Sequence, residues 1–252
     1  VSQRQNKILP SLSLVIPTYN ERENIRELIP AIAQTFADIE YEILVVDDNS
    51  PDGTGDEVLA LSKTYPRLYL IAKAKREGIG AAIRLGYNQA KNDVILSTDS
   101  DLSFSVNDMR RLYEKINEGY DLVTGCRHMA GGEYELTNFR VRIKGLFSLY
   151  GNKVVQALTR LNMKDFSANF RAIRRDTWLR IETSEKTNAL LLEMILKCAY
   201  GGAKVKEIPV SFKDRKYGES KLNLWIEAPK FLIKLIKYIA LYRFRGYPMQ
   251  KG

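Results

Sequence analysis

Two carboxylates one residue apart, Asp99 and Asp101, follow a hydrophobic run that ends at Thr98. In a continuing strand they would point to one face, because the side-chain period is two. A turn after Asp99 could re-aim one and still leave both within reach of one ion. One or two carboxylates, completed by phosphate oxygens, suit a divalent cation that bridges a diphosphate. The same residues suit an Asx-type turn with a helix cap, and both readings stay open here. Asp47-Asp48 ends a second hydrophobic run. A carboxylate there could accept from a nucleobase or a ribose hydroxyl, or cap a helix. Pro17-Thr-Tyr-Asn-Glu21 ends a third run, with Tyr19 available for stacking and Glu21 for hydrogen bonding, or as a turn and cap. Gly78-Ile-Gly80 with Gly86 lacks the spacing of a dinucleotide loop. With Ala81 and Ala82 these glycines allow close helix packing or close approach to a phosphate.

The elements that must position these groups are legible from periodicity. Short apolar runs at 12–16, 42–46, 68–72, 94–98 and 121–124 predict strands. Helical patterns start at 21, with a kink expected at Pro30, and cover 56–65, 78–90 and 107–117. Strands alternating with helices predict an α/β fold with an open, mostly parallel sheet flanked by helices. Ligands of such sheets sit at the carboxyl ends of the strands, where the three polar clusters fall. The second half reads less regularly: helices over 140–161 and 189–200 and a strand over 205–212.

Composition narrows the chemistry. The chain has 252 residues, 45% apolar and 27% charged, which is ordinary globular composition. A single histidine, His128, excludes a multi-histidine metal site. Two cysteines, Cys126 and Cys198, exclude a four-cysteine zinc site and fit a reducing compartment. Any metal is then held mainly by carboxylates, which favours Mg2+ or Mn2+. The net charge is +9, of which +8 falls in residues 201–252. That implies an anionic partner: phosphorylated substrate, membrane surface or nucleic acid. A basic nucleic-acid-binding module is the alternative of another class, but no nucleic acid is expected, because no motif for it is present and the aromatics do not interleave as stacking platforms. From the polar N-terminus no secretory leader is expected, and no window reaches the ~18 apolar residues of a spanning helix.

Together these pieces resemble the GT-A fold of family 2 glycosyltransferases. The resemblance rests on Pro17-Thr-Tyr-Asn-Glu21, Val45-Val-Asp-Asp-Asn-Ser-Pro-Asp52 and Asp99-Ser-Asp101 as a D-x-D motif. Gly125-Cys-Arg127, Phe170-Arg-Ala-Ile-Arg174, Glu207-Ile-Pro-Val-Ser-Phe212 and Arg215-Lys-Tyr-Gly-Glu-Ser-Lys-Leu222 resemble the dolichyl-phosphate mannosyltransferase, or polyprenyl-phosphate glycosyltransferase, branch. The resemblance implies that Pro17, Tyr19, Glu21, Asp48, Gly78, Asp99 and Ser100 hold a nucleotide sugar. Asp99 and Asp101, with Ser103, would bind Mg2+ or Mn2+. Arg127, Lys144, Ser148, Arg215, Ser220 and Lys221 would face a polyprenyl or dolichyl phosphate. Asp99, Asp101 and Arg127 would carry the catalysis. Three departures stand out. Ser103-Phe-Ser-Val106 replaces the Gln and prolines common after the motif. Ala168-Asn-Phe-Arg171 replaces Ser-Gly-Phe-Arg. Lys144 stands four residues before Ser148 where the family has an arginine, and a lysine offers a point charge rather than a planar fork.

The implied reaction is transfer of a hexose, most simply mannose from GDP-mannose, to the lipid phosphate with inversion. UDP-glucose or UDP-N-acetylhexosamine is the alternative donor. A phosphomonoester is already anionic at neutral pH, so it needs positive charge to place it rather than a base. Glu193, mid-helix, then reads as structural. Residues 1–222 would form the catalytic domain and 223–252 an amphipathic tail at the cytoplasmic face of a membrane. In that tail Lys230, Lys234 and Lys237 share one face, and apolar residues fill the rest, as in an interfacial helix. A helix packed on its own domain is the alternative. The chain would bind the membrane peripherally or be tethered by a membrane-anchoring subunit.

Overall fold

The computed structural model describes residues 9–132, 139–183, 185–217, 224–244 and 249. Seven strands form one sheet: β1 (Leu12–Thr18), β2 (Tyr41–Asp47), β3 (Leu68–Ala72), β4 (Val94–Ser97), β5 (Leu122–Cys126), β6 (Arg171–Arg174) and β7 (Val205–Pro209). Their order is β3-β2-β1-β4-β6-β5-β7. Only β6 runs antiparallel, wedged between β4 and β5. The helices are α1 (Arg22–Thr35), α2 (Thr54–Ser62), α3 (Ile79–Gln89), α4 (Val106–Ile116), α5 (Phe139–Thr159), α6 (Arg175–Arg180), α7 (Ala189–Tyr200) and α8 (Leu224–Tyr238). A π-helical turn, Ile239–Phe244, continues α8.

The two-residue side-chain period divides the core into two layers. Leu12, Leu14 and Ile16 of β1 and Ile43 and Val45 of β2 face α1, α2 and α4. Val15, Leu44 and Val46 face the other way, onto Ile83 and Tyr87 of α3 and the apolar side of α7. Each such side chain taken from water contributes about 1.5–3 kcal/mol, so a strand buried on both faces is strongly fixed in register. That register aligns Thr18 with Asp47 and Val15 with Ser97. The polar clusters after β1, β2 and β4 therefore meet at one edge, as their positions in the sequence predict.

Two elements differ from the expected ones. The four-residue strand β6 carries arginines at both ends and has no apolar run to announce it. β7 stops at Pro209, short of 212, because proline has no amide hydrogen to carry a ladder. Helix α1 continues through Pro30.

The C-terminal helix does pack on the domain, by one face. Leu235 and Tyr238 are buried in the layer beneath α7. Lys234 pairs with Glu185 at 2.5 Å, and Tyr238 also donates to Glu185. Lys234 thus lies on the docked side rather than on an outward lysine stripe. Leu232, Ile233, Ile236 and Lys237 point outward instead.

Close approach fixes one glycine. A Cβ on Gly86 of α3 would lie 2.4 Å from Val15 Cγ1 and 3.0 Å from Val46 Cγ2. Both neighbours are β-branched core side chains with little freedom to move. Gly86→Ala should therefore destabilise the fold by about 1–3 kcal/mol through overpacking. A lower midpoint in urea denaturation, with an unchanged slope, would register it.

Candidate active site

The loop after β4 builds the centre of the site. Asp101 is buried. Its Oδ1 accepts from the Ser103 amide at 3.1 Å, an Asx-type turn, and its Oδ2 pairs with Arg215 Nη2 at 3.0 Å. Leu102 supports the turn with φ of 62°. One carboxylate thus makes both the turn and an ion pair. Asp99 Oδ1 accepts from Asn169 Nδ2 at 3.1 Å. Burial, and after it the negative charge of Asp101, hold the Asp99 carboxyl well above the usual carboxylate range. Ser100 and Ser103 are buried beside them, and Ser105 caps α4 by accepting from the Asp108 amide at 3.0 Å. The segment replacing the usual Gln and prolines thus starts a helix cleanly.

The segment 211–217 lies across this loop. Lys213 N donates to Ser103 O at 3.0 Å and Lys216 N to Asp101 O at 3.4 Å. Farther along, Lys216 Nζ and Tyr217 Oη reach Glu27 of α1 at 2.6 and 2.7 Å. Arg215, expected at an acceptor phosphate, is held on the D-x-D carboxylate.

At the β1–β2 edge the aspartates organise backbone. Asp47 accepts from Thr18 Oγ1 and from Ser50 N and Oγ. Asp48 is buried, and accepts from Lys73 Nζ at 2.5 Å and from the Glu77 and Gly78 amides at 2.9 and 2.7 Å. Burial alone would raise the Asp48 carboxyl, but Lys73 and the two amides hold it below its ordinary value. Asp48 thereby shapes the loop entering α3, including Gly78 at φ of 93°. A Cβ on Gly80 would lie 2.0 Å from Thr187 O, so the segment before α7 rests directly on the start of α3. Pro17 is buried inside β1. The Arg76 guanidinium lies 3.9 Å from the Tyr19 ring centroid. Glu21 accepts from Asn24 Nδ2 at 2.6 Å.

A second polar centre follows β5. Arg127 grips buried Asp165 with Nε at 2.7 Å and Nη2 at 3.0 Å. The same Nη2 donates to Ser167 Oγ at 2.9 Å and approaches Ser148 Oγ at 3.4 Å. His128 Nε2 lies 3.3 Å from Ser148 Oγ. Arg127 and Ser148 therefore meet, as the sequence implies. Lys144 lies in α5 with its side chain outside the described residues, and Ser220 and Lys221 lie outside them altogether. Glu193 is buried in α7, where Thr183, Lys197 and Tyr242 engage it, in keeping with a structural role.

Sequence reasoning missed Asp165, Asn169 and Lys73. Asp165 and Lys73 carry no motif and are brought in by topology. Asn169 had a signal, since it occupies one of the three departures from the family pattern. Among the described residues no cluster of three or more His, Cys, Asp or Glu forms a metal cage. The donor set still fits a hard divalent ion. Two carboxylates repel each other out of water, and a cation that keeps water or phosphate ligands needs few protein oxygens.

Burial alone would raise Asp165, but the Arg127 charge and hydrogen bonds hold it down to about 2. A carboxylate with a lowered folded-state pKa contributes stability above its unfolded value, lost as pH falls through the folded one. Asp165→Asn should cost about 3–5 kcal/mol, because it strands a largely buried guanidinium. It should also flatten the loss of stability between about pH 4 and 2. Urea denaturation across that range checks both.

The sequence profile described as Glycosyl transferase family 2 matches residues 13–178. Dolichol-phosphate mannosyltransferase of Pyrococcus furiosus is 34% identical over 212 residues, covering 84% of this chain and 59% of that protein. This chain thus spans less than two thirds of that relative. Undecaprenyl-phosphate mannosyltransferase of Micrococcus luteus is 31% identical over 215 residues, covering 83% of this chain and 86% of that protein. The crystal structure of glucosyl-3-phosphoglycerate synthase from Mycobacterium tuberculosis, with Mn2+, UDP and glucosyl-3-phosphoglycerate, superposes with a TM-score of 0.69 at 16% identity. That match covers 93% of this chain and 80% of the other, and it shows the fold, the GT-A arrangement expected from the sequence. With a matching profile over most of its sheet and relatives above 30% identity along most of its length, the chain belongs to glycosyl transferase family 2.

Proposed function

We propose that this protein transfers a hexose, mannose from GDP-mannose, to the phosphate of a dolichyl or other polyprenyl phosphate at the cytoplasmic face of a membrane. The observation that carries the reading is the contact between Arg215 and Asp101. The arginine suited to an acceptor phosphate and the carboxylate suited to the donor's metal lie within one side chain's reach. Donor and acceptor would then meet at one point of the sheet edge. The names of the Pyrococcus and Micrococcus relatives support a mannosyl donor and a polyprenyl phosphate acceptor.

In this reading Pro17, Tyr19 and Glu21 line the nucleoside end, and Asp48 keeps the Gly78 loop in place for the diphosphate. Asp99 and Asp101 would hold Mg2+ or Mn2+, which supplies positive charge to the departing nucleoside diphosphate. Arg127, with Ser148, would orient the acceptor phosphate for in-line attack on the anomeric carbon, with inversion. The attacking oxygen is already anionic, so placement by these donors supplies the rate.

The tail serves the same substrate. No helix among the described residues is long and apolar enough to cross a membrane. Leu232, Ile233 and Ile236 on α8, with Lys237 beside them, would rest in the interface where a polyprenyl phosphate resides. Leu146, Tyr150 and Val154 form a second exposed apolar stripe along α5.

Calorimetry with GDP-mannose, UDP-glucose and UDP-N-acetylglucosamine, each with and without Mn2+, tests the donor. GDP-mannose should bind only with metal, and Asp101→Asn should abolish binding. Metal-dependent binding of a UDP-sugar instead would name the other donor class, and no donor binding would sink the transferase reading. In the same assay without nucleotide, Arg215→Met should bind Mn2+ about fivefold or more tightly than wild type, because a competing cation has left Asp101.

A further inference from the structure

Asn169 presents an unmet group at the centre of the site. Its side chain is 3% exposed. Its amide nitrogen donates to Asp99 Oδ1 at 3.1 Å, while its carbonyl oxygen is buried without a hydrogen-bond partner. The amide thus stands with its nitrogen toward Asp99 and its oxygen away, the arrangement that an ionised, metal-binding carboxylate requires. A buried carbonyl with no partner is costly, and native proteins rarely leave one so. Such an atom inside a binding site is completed by what the site binds.

The residue is also held still. Arg171, fully buried at the start of β6, donates through Nη1 to Leu191 O at 2.8 Å and through Nη2 to Ala168 O. That clamp fixes the backbone on one side of Asn169, and Phe170, stacked on Phe104 at 4.2 Å, fixes the other. A rigid neutral oxygen beside a carboxylate pair is a competent donor for a hard cation, which takes carboxylate and side-chain amide oxygens alike.

We infer that the Asn169 carbonyl oxygen is a third protein ligand of the divalent cation held by Asp99 and Asp101. The inference rests on the metal site proposed above. It gives the third position, which the family resemblance assigned to Ser103, to a residue about 70 positions from Asp99 in sequence, just before the antiparallel strand.

Mn2+ titration of the full chain, followed by the EPR signal of free Mn2+ without nucleotide, tests it. Asn169→Ala should weaken Mn2+ binding about tenfold. Pulsed EPR of the bound Mn2+, in protein carrying asparagine labelled with 13C at the side-chain amide carbon, is the decisive measurement. If the carbonyl is a ligand, the amide carbon shows a hyperfine coupling to Mn2+ that is absent from Asn169→Ala at saturating metal. If Asn169 only orients Asp99, no such coupling appears, and the inference is overturned. Unchanged affinity in Asn169→Ala overturns it too. Arg215→Met, expected to tighten binding, shows that the titration resolves changes in both directions. Asp101→Asn separates the two levels. If it binds Mn2+ like wild type, the metal site itself is wrong; if it loses binding while Asn169→Ala does not, only the third ligand is wrong. Thermal unfolding of each variant without metal confirms that the fold is intact.

Discussion

Two carboxylates one residue apart repel each other, and at the end of β4 they do so largely out of water. Much of the surrounding structure answers that repulsion. An amide hydrogen from Ser103 and a guanidinium from Arg215 meet Asp101. A side-chain amide meets Asp99. These contacts are local neutralisation, and they leave Asp99 still reluctant to ionise. A site in that condition favours a small cation, as carboxylates at phosphate-handling centres commonly do.

Two arginines, Arg171 fully buried and Arg127 partly so, do the positioning on the other side of β4. Arg171 is held by backbone carbonyls and ties β6 to α7. Arg127 is held by the buried Asp165 and so presents a fixed fork rather than a swinging cation. Pairing of this kind is energetically close to break-even as a stabiliser. Its use is geometric: it puts donors at set places near Ser148. Asp48 and Lys73 repeat the device at the end of β2, with the carboxylate bracing a loop through two amides.

Strands β1, β2 and β4 were legible in the sequence because they are buried on both faces and read as apolar runs. The three polar clusters were legible for the same reason, since each interrupts such a run. β6 was not, because Arg171-Ala-Ile-Arg174 has two charged ends, and its burial depends on carbonyls supplied by residues far away in sequence. Arg215 could be tied to phosphate chemistry by its motif, yet its contact with Asp101 is a tertiary fact. The tail was half legible. Its apolar content announced an amphipathic helix, but which side faced the domain was decided by Glu185, whose partner no local pattern identifies.

The missing side chain at Gly80 ties these distant parts together. Thr187 O occupies the space a Cβ would need, and the same short segment carries Glu185, the partner of Lys234 and Tyr238 in α8. The loop braced by Asp48 and the helix with the outward apolar face are thus joined by one span of chain that acts like a strut. Substitutions at Gly80, Glu185 and Lys234 would each bear on the same span, although their positions in the sequence suggest three unrelated places.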